Sequence, residues 1–251
     1  MERITLVDNS RQTGMQQELR MRDNETHMVI GCGGIGFWLA LLLCMMGESR
    51  FILMDGDKID NSNLNRLPTP QTWLGLNKAV ALRKMIRLLR PDCIVTVLGT
   101  HITPDTLNII EQFFNRRNDH YFQRIEHLTV WDTTDNAEIQ KKIHNTVKGI
   151  RRGADKVVYR KLGYEGFKVA NYEHYSVWTP EGYTTGYRTT QANAVSSVLS
   201  AGIGLFSRYL TDQDVNVDLK KLILKGGFNG TPEPRVERVV SRQRTRRRQR
   251  V

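Results

Sequence analysis

Residues 28–36 read M-V-I-G-C-G-G-I-G, an apolar run that breaks into glycines, and residues 37–46 continue as an apolar segment. This pattern predicts a short β-strand, a tight glycine turn and the start of a helix. Glycines at such a turn let the backbone come close to a ligand, and the following helix directs its free N–H groups and positive dipole end towards a phosphate. Taken alone, the loop fits dinucleotide cofactors, mononucleotides and some purely structural turns.

The next segment completes a β-α-β unit. Gly47 is a candidate C-cap for the first helix, and residues 50–54 return as an apolar strand that ends in Asp55-Gly56-Asp57. In a parallel α/β nucleotide domain, the acid at the end of the second strand accepts hydrogen bonds from the ribose hydroxyls. We therefore expect Asp55 to bind the ribose of a nucleotide.

Three further segments carry polar residues at positions typical of a site. Residues 60–66, D-N-S-N-L-N-R, form a polar loop, and Lys78 lies in the first turn of a helix predicted over 77–90. Because a lysine at a helix N-terminus opposes the helix dipole, we expect an anionic group beside it. A strand predicted over 128–131 runs into residues 132–136, D-T-T-D-N, and carboxylates at that end of a parallel strand face the ligand-binding crevice.

The rest of the sequence predicts an α/β domain with extensions. Further strands are predicted over 94–98 and within 167–178, and helices over 105–114 and 191–210, the last rich in small residues that permit close packing. A basic piece at 148–160 interrupts the pattern, and beyond residue 212 we expect weak structure with one candidate strand at 222–224. The predicted organisation is a helical N-terminal arm (1–27), one nucleotide-binding domain (28–212), an extension (213–234) and a disordered arginine-rich tail (235–251).

The composition favours an intracellular protein. The chain has 251 residues and a net charge of +11, with six arginines and no acid in residues 241–251. Its first 23 residues are polar, and residues 37–46 are too short for the roughly 20 apolar residues that cross a bilayer. We therefore expect a cytoplasmic protein without membrane contact. The three cysteines are too few and too scattered for a disulfide framework or a zinc site, which indicates a reducing compartment.

Five ordered motifs together resemble the ThiF/MoeB family of adenylating enzymes, which includes the activating enzymes of ubiquitin and of ubiquitin-like sulfur carriers. The motifs are G-C-G-G-I-G, D-G-D, S-N-L-N-R, G-L-N-K and D-T-T-D-N, and the resemblance covers roughly residues 25–210. It implies a Rossmann-like, mostly parallel sheet with helices on both faces. It also implies that the C-terminal carboxylate of a small ubiquitin-like or sulfur-carrier protein, ending in glycine, attacks the α-phosphate of ATP and releases pyrophosphate.

The resemblance assigns roles to the motif residues. Asp55 matches the family's ribose-binding acid, and Asn63 with Arg66 matches the polar pair that reaches the phosphates. Lys78 matches the lysine at the α-phosphate, and Asp135 matches the acid that positions Mg²⁺ with ATP. The remaining expected nucleotide contacts are Gly31, Gly33, Gly34, Gly36, Asp57, Asp132 and Asn136. The glycine loop is not a Walker P-loop, because G-x-x-x-x-G-K-[ST] does not occur.

The sequence departs from the family pattern in two ways. It lacks the paired zinc-binding cysteines that many relatives carry, and no cysteine follows Cys93, so a thioester relay within this chain is not expected. Adenylation itself needs no cysteine. Many relatives are homodimers whose N-terminal segment lends an arginine to the neighbouring subunit. We expect a homodimer here as well, and Arg11, Arg20 and Arg22 are candidates among which no motif selects.

Several alternatives stay open at this level. Asp132 and Asp135 could cap the following helix, and Cys32 could be either a reactive thiol or a small filler. The arginine tail could be a solvated extension or a handle for weak nucleic-acid contact. At the level of function, an adaptor that kept the fold but lost turnover is the first rival, and an NAD-dependent oxidoreductase is the second.

Overall fold

The computed structural model describes residues 25–103, 106–108, 125, 127–151, 157–165, 168–172, 193–211 and 215–218. The predicted N-terminal helix, the three candidate arginines, the strand expected at 222–224 and the arginine tail lie outside these residues.

Seven strands form one mixed sheet in the order β3-β2-β1-β4-β5-β6-β7. The strands are β1 (Glu25–Ile30), β2 (Arg50–Met54), β3 (Ile94–Leu98), β4 (His127–Asp132), β5 (Val157–Glu165), β6 (Lys168–Tyr172) and β7 (Val215–Asp218). The first five are parallel, β6 is antiparallel to β5, and β7 is antiparallel to β6. The expected mostly parallel sheet is confirmed.

Helices cover both faces of this sheet, because apolar side chains alternate along its central strands. The helices are α1 (Gly34–Met45), α2 (Lys78–Leu89), α3 (Ala137–Arg151) and α4 (Asn193–Phe206), and a π-helical segment, Ser207–Thr211, continues α4. On one face, Val29 and Leu53 pack with α1, α2 and α4. On the other face, Met28 and Ile30 pack with Ile143 of α3. The small residues predicted to allow close packing of α4 are buried there, namely Ser196, Ser197, Ser200, Ala201 and Gly204.

Three element boundaries differ from the sequence predictions. Strand β1 begins at Glu25 rather than at Met28, because its polar first half is buried by pairing with β4. The basic piece at 148–160 does not interrupt the domain, since α3 runs to Arg151 and β5 starts at Val157. Beyond residue 212, residues 215–218 form β7 against β6, so part of the predicted weakly structured extension belongs to the sheet.

The order of the strands fixes where a ligand can bind. From β1 the chain passes outwards to β2 and β3, and then returns to place β4 on the other side of β1. The helices that follow β1 and β4 therefore diverge, which leaves a crevice at the carboxyl ends of these two strands. Both the glycine loop and the D-T-T-D-N motif begin at this crevice. No helix in the described part of the chain combines the length and the apolar character that a bilayer crossing requires.

Candidate nucleotide-binding site

The glycine loop is held tightly against the end of β4. Gly31 has a φ of +91°, which favours glycine, and its N–H donates to the carbonyl of Met54 at 2.9 Å. The hydroxyl of Thr133 donates to the carbonyl of Gly31 at 2.5 Å. A side chain at Gly36 would collide with this carbonyl and with the Thr133 hydroxyl. The loop therefore needs glycine at positions 31 and 36 for its own geometry.

Helix α1 begins at this loop without a side-chain cap. Its N-cap is Gly33, in an extended conformation with φ −78° and ψ −159°. The first N–H groups of a helix have no partner within the helix, and an anion can satisfy them and interact with the helix dipole. The start of α1 is thus suited to a phosphate.

Asp55, the predicted ribose acid, is bonded to the backbone of the glycine loop. One carboxylate oxygen accepts from the N–H of Cys32 at 2.7 Å, and the other accepts from the N–H of Asp57 at 2.8 Å. Burial raises the pKa of the Asp55 carboxyl above its ordinary value, although the two N–H donors and the nearby Lys78 act in the opposite direction. The acid is placed at the crevice by the end of β2.

Lys78 has the anionic partner that the sequence predicted. Its Nζ lies 2.8 Å from Oδ2 of Asp57. Asn77 caps α2 by accepting from the N–H of Val80 at 3.1 Å, and its amide donates to the carbonyl of Asp55 at 2.8 Å. These contacts fasten the start of α2 to the end of β2, so the lysine and the two aspartates are neighbours.

Arg66 reaches the start of α1 from the polar loop. A side chain at Gly34 would meet both Arg66 Cδ and the hydroxyl of Ser197 from α4, so the arginine stem crosses the helix start at close range. Its Nη1 donates to the carbonyl of Ser62 at 2.8 Å, and Trp38 Nε1 donates to the Arg66 carbonyl at 3.0 Å. A phosphate at the uncapped end of α1 would thus lie near a guanidinium.

Asn63 is mostly buried inside the same loop. Its N–H donates to Oδ1 of Asp60 at 3.1 Å, and its own Oδ1 accepts from the N–H of Asp60 at 3.4 Å, which forms a capping box. The side-chain amide also donates to Ser62 Oγ at 3.3 Å. Asn63 shapes the loop that carries Arg66, and its expected contact with a phosphate stays a prediction.

The three residues of the D-T-T-D-N motif with a predicted role at the nucleotide differ in their surroundings. Asp132 is fully buried; its carboxylate accepts from the Tyr159 hydroxyl at 2.7 Å and from the N–H of Thr134 at 3.1 Å, and burial raises its pKa. Asn136 caps α3 by accepting from the N–H groups at positions 138 and 139, at 3.0 and 3.1 Å. Asp135 is exposed between them. A direct nucleotide contact therefore suits Asp135 best. Asp132 and Asn136 have structural roles, and their expected contacts with the nucleotide stay predictions.

Three residues of this region make contacts that the sequence motifs did not indicate. Thr133 anchors the glycine loop, Asn77 joins α2 to β2, and Ser197 packs where Arg66 crosses α1. The D-T-T-D-N and G-L-N-K motifs contain the first two, but nothing in a short motif indicates which distant carbonyl each one binds.

Cys32, the cysteine of the glycine loop, shows no sign of a nucleophile. Cys32, Cys44 and Cys93 are all buried, and burial raises the pKa of the Cys32 thiol well above its ordinary value. The interpretation of Cys32 as a filler is thus favoured over a reactive thiol.

A second polar cluster lies at the opposite end of the parallel strands. Glu25, His27 and Glu48 are buried, and their ligand-type atoms lie within 4.8 Å of one another, a grouping that could hold a metal ion. However, Trp131 Nε1 donates to His27 Nδ1 at 3.3 Å, which places the imidazole proton on Nε2, 3.0 Å from Glu48. Arg208 also pairs with Glu25 at 3.2 Å. The ion pair of Arg208 with Glu25 and the occupied Nδ1 of His27 favour a network of polar contacts over a metal site.

The sheet order and the glycine loop at its switch point define a doubly wound nucleotide-binding domain. Residues 6–157, more than half of the chain, match the model of the ThiF family. The chain belongs to the ThiF family, whose members are adenylating enzymes that use ATP.

Named relatives span two kinds of protein. The chain is 36% identical over 80 residues to the tRNA threonylcarbamoyladenosine dehydratase of Escherichia coli (strain K12), which covers 32% of this chain and 30% of that protein. It is 33% identical over 103 residues to ubiquitin-like modifier-activating enzyme 5 of Caenorhabditis elegans, covering 41% of this chain and 24% of the relative. The matches thus span about a third or less of these two curated relatives.

A solved structure confirms the fold over a longer stretch. The chain is similar to Escherichia coli MccB in a structure titled with AMPCPP and MccA, with a TM-score of 0.55 and 17% sequence identity. The similarity covers 76% of this chain and 56% of MccB. At this identity the likeness supports the shared fold alone.

Proposed function

We propose that this protein binds ATP with Mg²⁺ in the crevice and adenylates the C-terminal carboxylate of a small ubiquitin-like or sulfur-carrier protein. The observation that carries the proposal is the convergence of Asp55, Lys78 and Arg66 on the glycine loop. An anion site between two cations, beside an acid suited to ribose, fits a nucleotide that is attacked at phosphorus. A dinucleotide oxidoreductase would leave Arg66 and Lys78 without a role.

In the proposed reaction, one bond to the α-phosphorus forms and another breaks. A carboxylate oxygen of the partner attacks the α-phosphorus of ATP, the bond from that phosphorus to the β-bridging oxygen breaks, and pyrophosphate leaves with the bonding electrons. Arg66 and Lys78 neutralise the charge that develops on the phosphates, while the start of α1 holds them and Asp55 accepts the ribose hydroxyls. No proton transfer is needed, because the attacking carboxylate is already ionised.

Asp135 is the residue that would hold Mg²⁺. Mg²⁺ prefers oxygen ligands and is usually held by one or two carboxylates together with substrate phosphates and waters. An exposed carboxylate at the mouth of the crevice fits this requirement. When bound, the ion would supply Lewis-acid neutralisation of the phosphate oxygens.

The proposal also concerns the molecule that receives the activated group and the oligomeric state of the protein. The buried cysteines support a reaction that ends at the acyl-adenylate on this chain, so that the activated group passes to another molecule. We further propose that the protein works as a homodimer in the cytoplasm.

Pyrophosphate exchange into ATP tests this function. The full chain is incubated with Mg²⁺, ATP, labelled pyrophosphate and small proteins ending in Gly-Gly that are encoded beside its gene. We expect exchange that depends on such a carrier and falls by about 100-fold or more in Asp135→Ala and Arg66→Ala. Lys141→Ala, on the exposed side of α3, is the control and should leave exchange unchanged.

Other results would select the rival functions. Exchange that persists in both site variants would contradict the site assignment. Tight ATP binding without exchange against any carrier would favour an adaptor. Thermal stabilisation by NAD but not by ATP with Mg²⁺ would favour an oxidoreductase.

A further inference from the structure

A basic depression lies on the exposed side of α2. It has a volume of about 370 Å³ and is lined by Trp73, Arg83, Lys84, Arg87 and Leu88. The proposed function uses none of these residues.

The helical repeat explains why cations gather there. Ala79, Leu82 and Ile86 form the buried side of α2, so Lys84, Arg87 and Leu88 are left on the exposed side. A short 3-10 turn, Gln71–Trp73, then brings Trp73 beside the helix, with Lys84 Nζ 5.7 Å from the centre of the indole ring.

These cations differ from the other basic residues of α2 and its end. Lys78 is paired with Asp57, and Arg90 is paired with Asp92 at 2.6 Å. Helix α2 contains no acidic residue, and within the described part of the chain no carboxylate pairs with Arg83, Lys84 or Arg87. The depression thus concentrates three uncompensated positive charges around one indole ring.

The combination fits a strand of nucleic acid better than an acidic protein. Guanidinium groups bind phosphates through paired hydrogen bonds, and an aromatic ring beside a basic groove stacks with a base. Arg83 and Arg87 lie one helical turn apart, so both can face the same backbone. A segment of acidic residues alone would satisfy the cations but would leave the indole without a stacking partner.

We propose that this surface, formed by Trp73, Arg83, Lys84 and Arg87, binds single-stranded nucleic acid. The arginines and the lysine contact backbone phosphates, and Trp73 stacks with a base. Lys78 is five residues before Arg83, about 7.5 Å along the helix axis, so a bound strand would lie close to the crevice. The proposal does not depend on adenylation, because none of its residues contacts the proposed ATP site.

Fluorescence anisotropy with the full chain tests the proposal, using labelled oligouridine and oligothymidine of twelve nucleotides. The variant Arg83→Gln/Arg87→Gln removes two cations from the surface. We expect at least about tenfold weaker binding and a salt dependence whose slope falls by about 1.4, since each contact with a single strand contributes about 0.7. The control Lys141→Gln/Lys148→Gln removes the same charge from the exposed side of α3 and should change both quantities little.

The indole is tested separately. Trp73→Ala should weaken binding about fivefold or more without changing the salt slope, and Trp73→Phe should retain most of the affinity because it keeps a ring. Because Trp73 also packs on the core, thermal unfolding of each variant checks the fold. The chain has four tryptophans, so the part of the fluorescence quenching by unlabelled oligonucleotide that Trp73→Phe removes gives a second readout.

Equal losses in the two double variants would overturn the proposal, because general charge, including that of the C-terminal arginines, would then explain binding. Displacement of the oligonucleotide by a ten-residue glutamate peptide at lower concentration would also overturn it in favour of an acidic protein partner. Equal affinity for RNA and DNA supports contacts with phosphates and bases alone, and tighter binding of RNA supports an additional contact with the 2′-hydroxyl.

Discussion

At Asp55, burial and hydrogen bonding act on the pKa in opposite directions, and burial dominates, so the pKa lies above its ordinary value. The ionised carboxylate is an acceptor at both oxygens, whereas protonation turns one of them into a donor and removes the charge. We therefore expect ATP affinity to fall as the pH drops through the raised pKa of Asp55, and to recover above it. Titration calorimetry between pH 4.5 and 7.5 measures this dependence.

The variant Asp55→Asn isolates that contribution, since protonation of ATP itself is the same for both proteins. The loss of a charged acceptor should weaken ATP binding about tenfold or more near neutral pH. The difference between the two proteins should shrink as the pH falls. Asp92→Asn, at a surface ion pair with Arg90, is the control and should bind ATP like the original chain. A constant difference at every pH would show that Asp55 does not contact the nucleotide as a carboxylate.

Thr133 is the second residue whose side chain has a clear consequence, since its hydroxyl contacts the carbonyls of both Ile30 and Gly31. Its hydroxyl donates to the carbonyl of Gly31, and an apolar side chain of the same size cannot make that hydrogen bond. Thr133→Val should lower the free energy of unfolding by about 1 kcal/mol and weaken ATP binding, because the glycine loop loses its anchor on β4. Thr133→Ser keeps the hydroxyl and should stay close to the original protein in urea denaturation. A loss in Thr133→Ser with no loss in Thr133→Val would mean that the methyl group, not the hydrogen bond, matters, because valine keeps the methyl and lacks the hydroxyl.

At the scale of elements, the start of α2 depends on Asn77. Its side-chain oxygen Oδ1 caps the helix, and its side-chain nitrogen Nδ2 donates to the backbone carbonyls of Asp55 and Asp57 at 2.8 and 3.2 Å. Asn77→Ala should lower the free energy of unfolding by about 2 kcal/mol, from the lost cap and the lost link to β2. Asn77→Ser can still cap the helix, and should lose only about 1 kcal/mol.

The difference between the alanine and serine variants measures the link between α2 and β2. We expect ATP affinity to fall when this link is lost, because the link sets the position of Lys78 relative to Asp55. Urea denaturation and calorimetry on the same samples give both quantities. Weaker ATP binding in the alanine variant alone would support this role, whereas identical affinities would contradict it.

Elements built from local apolar runs could be predicted from the sequence. Strands β2 and β3 lie where their apolar residues indicated, and α2 starts one residue after its cap. Elements stabilised by long-range pairing could not be predicted. The first half of β1 is polar and is buried only because β4 lies beside it, and β7 becomes a strand because β6 offers an edge.

The same distinction applies to the site. Asp55, Arg66 and Lys78 stand in motifs whose order along the chain resembles a known family, and the structure places all three around the glycine loop. Thr133 and Asn77 act on carbonyls that lie 102 and 22 residues away. Such contacts are created by the sheet order and leave no local pattern. The assignment of Asp135 to Mg²⁺ rests on the resemblance and on its exposure.

At the scale of the whole molecule, helix α4 and its π-helical continuation carry an apolar stripe on their solvent side. Its members are Val195, Leu199, Phe206 and Leu210, which are 58, 36, 63 and 45% exposed. Their spacings of four, seven and four residues keep them on one side of a helix. Contiguous apolar surface of this kind is typical of a contact with another protein. A twofold contact between copies would cover it with a self-complementary surface, which supports the proposed homodimer.

Light scattering during size-exclusion chromatography tests this dimer. We expect a mass near twice the 28.9 kDa of the chain, with Phe206→Glu/Leu210→Glu shifting the protein to monomer because two charges would be buried at the contact. Leu89→Glu changes a similarly exposed leucine on α2, 46% exposed, and should leave the mass unchanged. If the dimer completes the ATP site, the monomeric variant should also lose pyrophosphate exchange while it still unfolds cooperatively. A dimer that survives in the stripe variant would place the contact elsewhere, and a monomeric original chain at tens of micromolar would contradict the proposal.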